Sequence, residues 1–92
     1  MKELFEKFYV SLLRGNEIEF RYKNKQYYIL PCFGPDKAVV GVRMSESYSK
    51  NERVFFSQKE LYLANIDGEK FGDVFLKMEI VWQNFDYCKY DL

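Results

Sequence analysis

Arg21, Lys23 and Lys25 are interleaved with Tyr22, Tyr27 and Tyr28 in one short stretch of the chain. Cations and rings on a single sheet are what a single-stranded nucleic acid needs, since bases stack on aromatic faces and phosphates rest against positive charge. A plainer reading puts Tyr22 and one of Tyr27 and Tyr28 in the core and leaves the lysines to keep a hairpin tip soluble. Glu17 and Glu19, which share a strand face with Arg21, favour the plainer reading. A second set of rings points to protein contacts: Tyr28, Tyr48, Tyr62, Trp82, Tyr87 and Tyr90. Aromatics are 20% of only 92 residues, more than a small core can hide. Partly wet Tyr and Trp are typical anchors of an interface, and self-association would use the same side chains.

Catalytic chemistry finds little to work with. The chain has no histidine, which removes the commonest general base and the commonest zinc ligand. Two cysteines far apart, Cys32 and Cys88, do not make a structural zinc site without histidine. Cys32 lies between Pro31 and Phe33, and neither neighbour lowers a thiol pKa. Glu17 and Glu19 sit on the outer row of an amphipathic strand, where carboxylates are ordinarily solvated. Asp67 reads as a helix cap before it reads as a catalyst. No glycine-rich phosphate cradle follows a strand. No catalytic residue, metal site or cofactor is therefore expected, and the protein is not expected to be an enzyme.

The elements that carry these residues can be read from periodicity. From Glu17 to Phe33 the pattern is a β-hairpin. Ile18, Phe20 and Tyr22 alternate with charged residues, as one-sided burial of a strand requires. Lys23-Asn24-Lys25-Gln26 is the polar turn, with Asn24 suited to positive φ. Before it, Lys2 to Arg14 reads as a helix. It carries Leu4, Phe5, Phe8, Tyr9 and Leu12 on one face and Glu3, Glu6, Lys7 and Ser11 on the other, and Gly15 ends it. Gly34-Pro35-Asp36-Lys37 is a turn. Ala38 to Met44 is a third strand, in which Gly41 marks a bulge or a close neighbour. Ser45 to Arg53 is an exposed loop with Tyr48 at its tip, and Val54-Phe55-Phe56 is a short fourth strand.

Ser57-Gln58-Lys59-Glu60 is a capping box that opens a short helix through Ala64. A further helix is predicted to start at Asp67 or Gly68, with Phe71, Val74, Phe75 and Met78 as its buried stripe. Gly72 inside that helix implies tight packing beside it, because glycine costs about 1 kcal/mol there against alanine. Ile80-Val81-Trp82 continues as helix or as a last strand, and residues 85–92 form a mixed tail. The two ring-bearing rows, 18/20/22 and 71/74/75/78, are expected to share one interior.

Ninety-two residues make a single domain, 1–92, with 14 basic and 14 acidic residues and a net charge of zero. Steering of the whole molecule toward polyanions is thus absent. No apolar run is long enough to span a membrane, and Met1-Lys2-Glu3 does not begin a secretory leader. A cytoplasmic setting follows, where Cys32 and Cys88 are expected to stay reduced and unlinked.

Two segments carry a family resemblance. They are Gly15 to Tyr22 running into Lys25 to Ile29, and Ile66 to Phe71 followed by Val74 and Met78-Glu79-Ile80. Together they resemble a group of small uncharacterised proteins of Gram-positive bacteria and their mobile elements. The resemblance leaves out Gly34 to Arg53. It implies a helix-flanked small sheet and a bacterial or phage cytoplasm, and it implies no activity.

The expected fold is α+β: an N-terminal helix, a three- or four-stranded antiparallel meander, and two C-terminal helices packed on one sheet face. The expected function is a non-catalytic protein-interaction module, an adaptor or inhibitor, with a homodimer among its forms. The alternative is a weak single-stranded nucleic-acid binder using Arg21, Lys23, Lys25, Tyr27 and Tyr28.

Overall fold

The computed structural model describes residues 2–47 and 50–83. Helix α1 (Lys2–Leu13) leads into strands β1 (Ile18–Tyr22), β2 (Lys25–Phe33), β3 (Val39–Glu46) and β4 (Glu52–Phe55). Helix α2 (Gln58–Tyr62), strands β5 (Asn65–Ile66) and β6 (Glu69–Lys70), helix α3 (Phe71–Val74) and strand β7 (Glu79–Gln83) follow. The fold is α+β, with a five-stranded antiparallel sheet ordered β4-β3-β2-β1-β7 and a two-stranded β5-β6 hairpin.

The β1–β2 hairpin forms where its alternation places it, but its turn is Lys23-Asn24 alone, because Lys25 and Gln26 pair with Tyr22 and Arg21 as the start of β2. Lys23 and Asn24 both take positive φ (49° and 65°), the geometry of a two-residue turn whose twist matches the strands. The turn fixes the register: Tyr22 faces Lys25, Phe20 faces Tyr27, and Ile18 faces Ile29. Gly15, at φ 90°, closes α1 by donating its N–H to the Leu12 carbonyl at 3.0 Å. At α2, Ser57 Oγ accepts the Glu60 N–H at 3.1 Å, as a helix N-cap should.

The structure corrects several expectations. The sheet has five strands rather than three or four, because Glu79–Gln83 pairs antiparallel with the free edge of β1. Ser45 and Glu46 extend β3, and Glu52 and Arg53 belong to β4, so the polar loop is shorter than its composition suggests. Phe56 lies beyond β4 and is exposed. The Asp67-Gly68 pair does not begin a helix. Both residues have positive φ, 54° and 87°, and turn the β5-β6 hairpin, with Asn65 Oδ1 accepting the Gly68 N–H at 3.0 Å. The following helix shrinks to one turn, and Met78 lies outside it. Ser11, placed on the polar face by periodicity, is fully buried, and its hydroxyl is satisfied by the Lys7 carbonyl at 2.9 Å.

The interior is a cluster of rings. Phe5, Phe8, Phe20, Phe71 and Phe75 are all buried. Phe20 stacks on Tyr27 at 5.1 Å between centroids and reaches Phe71 at 5.5 Å, so the 18/20/22 row and the 71/74/75 row share one interior. Phe5 meets Phe75 edge-on at 5.3 Å, and Phe8 meets it at 4.9 Å. Such tilted and edge-to-face contacts match the quadrupoles of the rings. The tight packing expected at Gly72 is present: the Tyr62 ring lies where a Cβ would be, and Tyr62 also meets Phe5 edge-on at 5.2 Å.

A polar knot ties the hairpin tip to β6. Tyr22 donates its hydroxyl to Glu69 at 2.5 Å, and the Lys23 ammonium sits 2.9 Å from the same carboxylate. Lys77 approaches it at 3.8 Å. The hydrogen bond from Tyr22, and then that from Lys23, hold the Glu69 carboxyl below its ordinary range. The same carboxylate raises the Tyr22 phenol and the Lys23 ammonium. A lowered acid stabilises the fold above its unfolded pKa and loses that contribution as pH falls through the folded value. The raised Tyr22 and Lys23 act oppositely and lose theirs only in strong alkali. Glu69→Gln is therefore expected to lower the melting temperature at pH 7, with the gap from the parent protein narrowing steadily towards pH 3. Thermal melts followed by circular dichroism at both pH values check this, and a gap that widens in acid refutes it.

Candidate functional site

Alternation along β1 and β2 puts one row of each in the interior and the opposite row outside. In β1 and β2 the outer row holds Glu19, Arg21, Gln26, Tyr28, Leu30 and Cys32, and none of these is fully buried. Strand register adds Arg43 opposite Leu30 and Val54 opposite Arg43. On the other side, Glu19 lies between Tyr28 of β2 and Trp82 of β7. A register shift in β7 between the partners of Glu19 and Phe20 skips Val81 and sets Trp82 on this row. A β-bulge re-aims side chains in this way and also roughens a strand edge against further pairing. Trp82 is 49% exposed.

The charges on this face are largely matched among themselves. The Arg21 guanidinium lies 3.7 Å from Glu79, and that of Arg43 lies 3.4 Å from Glu52. Arg43 Nε also donates to the Pro31 carbonyl at 3.2 Å, and Gln26 donates to Glu19 at 3.0 Å. Between these pairs lies a cleft of about 400 Å³ lined by Glu17, Ile18, Glu19, Tyr28, Leu30 and Trp82.

Two of the six ring residues proposed as interface anchors, Tyr28 and Trp82, thus meet on one cleft. Tyr62 lies elsewhere, half-buried against Phe5 and Gly72. It borders a larger depression of about 640 Å³, where Glu69 and Asp73 mix with Lys70 and Lys77. Tyr48, Tyr87 and Tyr90 lie outside the described residues, as does Cys88; Cys32 is a free, half-buried thiol.

The nucleic-acid set is not assembled as a platform. Tyr27 is buried and stacked on Phe20, and burial raises its phenol pKa. Tyr28 lies on the opposite row. Arg21, Lys23 and Lys25 are each paired with an acid, Lys25 with Asp67 at 3.5 Å. Glu17 and Glu19 are half-buried rather than fully solvated, and they line the cleft together with Tyr28, Leu30 and Trp82.

Leu30, Val54 and the two glutamates were not singled out as binding residues from the sequence. The two-residue turn at Lys23-Asn24 carries the needed signal for two of them, since it sets Glu19 opposite Tyr28 and beside Leu30. Among the described residues no cluster of three or more Cys, Asp or Glu could hold a metal ion. Nor is any described helix long and apolar enough to cross a membrane. No family model, curated protein or solved structure matches this chain.

Proposed function

We propose that the protein is a non-catalytic protein-interaction module, an adaptor or inhibitor acting in the cytoplasm of a bacterium or its mobile element. In this reading α1 and the C-terminal helices stand behind one face of the sheet, and the other face meets a partner protein. The observation that carries it is the outer row of the sheet, which bears half-buried Tyr28 and Leu30 on β2, exposed Val54 on β4 and exposed Trp82 on β7. A solvent-facing sheet row ordinarily carries polar side chains. An indole left half in water beside Tyr and Leu is the composition of an interface centre.

Site-specific photo-crosslinking in the native host tests the proposal. A benzophenone side chain at position 82 or 54 is expected to give a discrete protein adduct, while one at position 63, beside α2, is not. An adduct of twice the chain mass would identify a homodimer. Equal labelling at 63 and 82, or none at 82, would refute the reading.

The nucleic-acid alternative has less support, because its three cations are paired and Tyr27 is inside. Oligonucleotide titration over a salt series is expected to show no binding that Lys23→Glu and Lys25→Glu abolish. Binding that falls steeply with salt and is lost in both variants would reverse the ranking.

A further inference from the structure

The two edges of the sheet are built differently. β7 carries the register shift between the partners of Glu19 and Phe20, which spoils it as a template for a further strand. β4 pairs with β3 through Glu52, Arg53, Val54 and Phe55 without a shift, and among the described residues no strand covers its other side. Its charges do not guard that side. The Glu52 carboxylate lies 3.4 Å from Arg43 of β3, and Arg53 turns to the Met44 sulfur at 3.8 Å and to the Phe55 ring. Val54 is 40% exposed and Phe56 59%. An open, regular edge with an apolar centre is a ready template for another chain.

We propose that β4 pairs antiparallel with β4 of a second copy of this chain, joining two five-stranded sheets about a two-fold axis. The N–H and C=O of a strand residue point to the same side, and successive residues alternate. Ser47 donates its N–H to the Gln26 carbonyl of β2 at 2.7 Å, so by alternation Met44 and Val42 turn their groups to β4. Arg53 and Phe55 lie opposite them and complete those pairs, which leaves the groups of Glu52 and Val54 on the open edge.

Symmetry then fixes the register. A two-fold axis normal to the sheet keeps each side chain on its own face, so one residue must lie opposite its own copy. Glu52 or Arg53 there would oppose two like charges, which is unfavourable. Phe55 there would bring Arg53 against Ser57, where the chain has already left the strand to cap α2. Val54 remains. It sets valine against valine, each N–H reaching the other's C=O, with Arg53 opposite Phe55 and Glu52 opposite Phe56 of the other chain. This pairing uses an edge and leaves Trp82 open in both copies, so it is separate from the outer-face contact.

Sedimentation velocity of the full chain over a concentration series is the first measurement, with the mass expected to rise from one chain to two. Val54→Pro removes an N–H that β3 does not use, and proline is tolerated at such a position on an edge strand. It should remain folded by circular dichroism and stay single at concentrations where the parent is dimeric. Val54→Lys and Val54→Glu should each stay single at low salt and pair when mixed in equal amounts, because only the residue on the axis meets its own copy. Trp82→Ala should dimerise as the parent does. The Val54 amide should gain protection from hydrogen exchange as concentration rises.

A parent chain that stays single throughout would overturn the proposal. So would a dimer that folded Val54→Pro leaves intact, or one that Trp82→Ala abolishes, since association would then lie elsewhere. Failure of the Lys and Glu variants to pair on mixing would reject the register. Crosslinking at position 82 to another protein, by a chain that never dimerises, would reject the edge pairing and leave the outer-face contact in place.

Discussion

Phe20→Ala is expected to lower the free energy of unfolding by about 3–5 kcal/mol, at the upper end for an enclosed ring. Phe20 is wholly shielded from solvent. Its ring lies between Tyr27 at 5.1 Å and Phe71 at 5.5 Å, so it joins the sheet to the C-terminal part of the chain. Tyr27 and Ile80, its partners in β2 and β7, are held by strand pairing, so the walls cannot close on the void. Total stability for a domain of this kind is about 5–15 kcal/mol, so the loss is a large share of it. The melting temperature should fall on the order of 15–30 °C for a chain of this length. Phe33→Ala is the control. Phe33 is also on β2 but 58% exposed, and its removal should change stability by less than about 1 kcal/mol. Urea titrations with unchanged slope and shifted midpoint read both values. Midpoints for the two variants that coincide would mean that Phe20 is not the central ring.

The same contrast shows how far the fold could be read from residue order. Local signals held up. The 18/20/22 alternation, Asn24 at the turn, Gly15 after α1 and Ser57 before α2 each act through neighbours a few residues away, and each element formed where its residues pointed. Asp67-Gly68 carries two competing signals. An Asp-Gly pair suits a two-residue hairpin turn, yet the apolar spacing from Phe71 to Met78 suggested a long helix. The rings of that spacing are buried by tertiary contact with Phe5, Phe8 and Phe20, and α3 needs only one turn to present them.

The candidate site divides along the same line. Glu19, Tyr28 and Leu30 fall on one face by alternation and hairpin register alone. Trp82 joins them only because β7 returns to pair with β1 some sixty residues later and shifts register at Val81. A pairing of that span is set by the whole interior, and no local pattern around Ile80-Val81-Trp82 distinguishes it from a helix. Glu19 thereby lies between Tyr28 of β2 and Trp82 of β7 and is half-buried, although its own strand marks it as an outward-facing carboxylate.

Gly41→Ala is expected to destabilise the protein by about 1–3 kcal/mol, the range for forcing atoms into a filled space. A strand alanine where glycine stood ordinarily helps, by about 0.4–1 kcal/mol, because the unfolded chain loses freedom. Here the space decides the sign. A Cβ at Gly41 would collide with the Phe55 carbonyl oxygen, and it would come within 3.2 Å of the Phe56 Cα and 3.1 Å of its ring. The first two are backbone atoms, held where β4 leaves its pairing with Val42. They cannot turn aside as a side-chain tip can, so the end of β4 must move off the sheet. Amide hydrogen exchange should therefore show Val54 and Phe55 losing protection while the β1–β2 amides keep theirs, since β4 is an edge strand and opens locally. Adding Phe56→Ala should recover little of the loss, because the ring is the lesser obstacle. Full recovery in that double variant would assign the clash to the ring instead. Undiminished protection of β4 in Gly41→Ala would show that the sheet can accommodate a methyl group there.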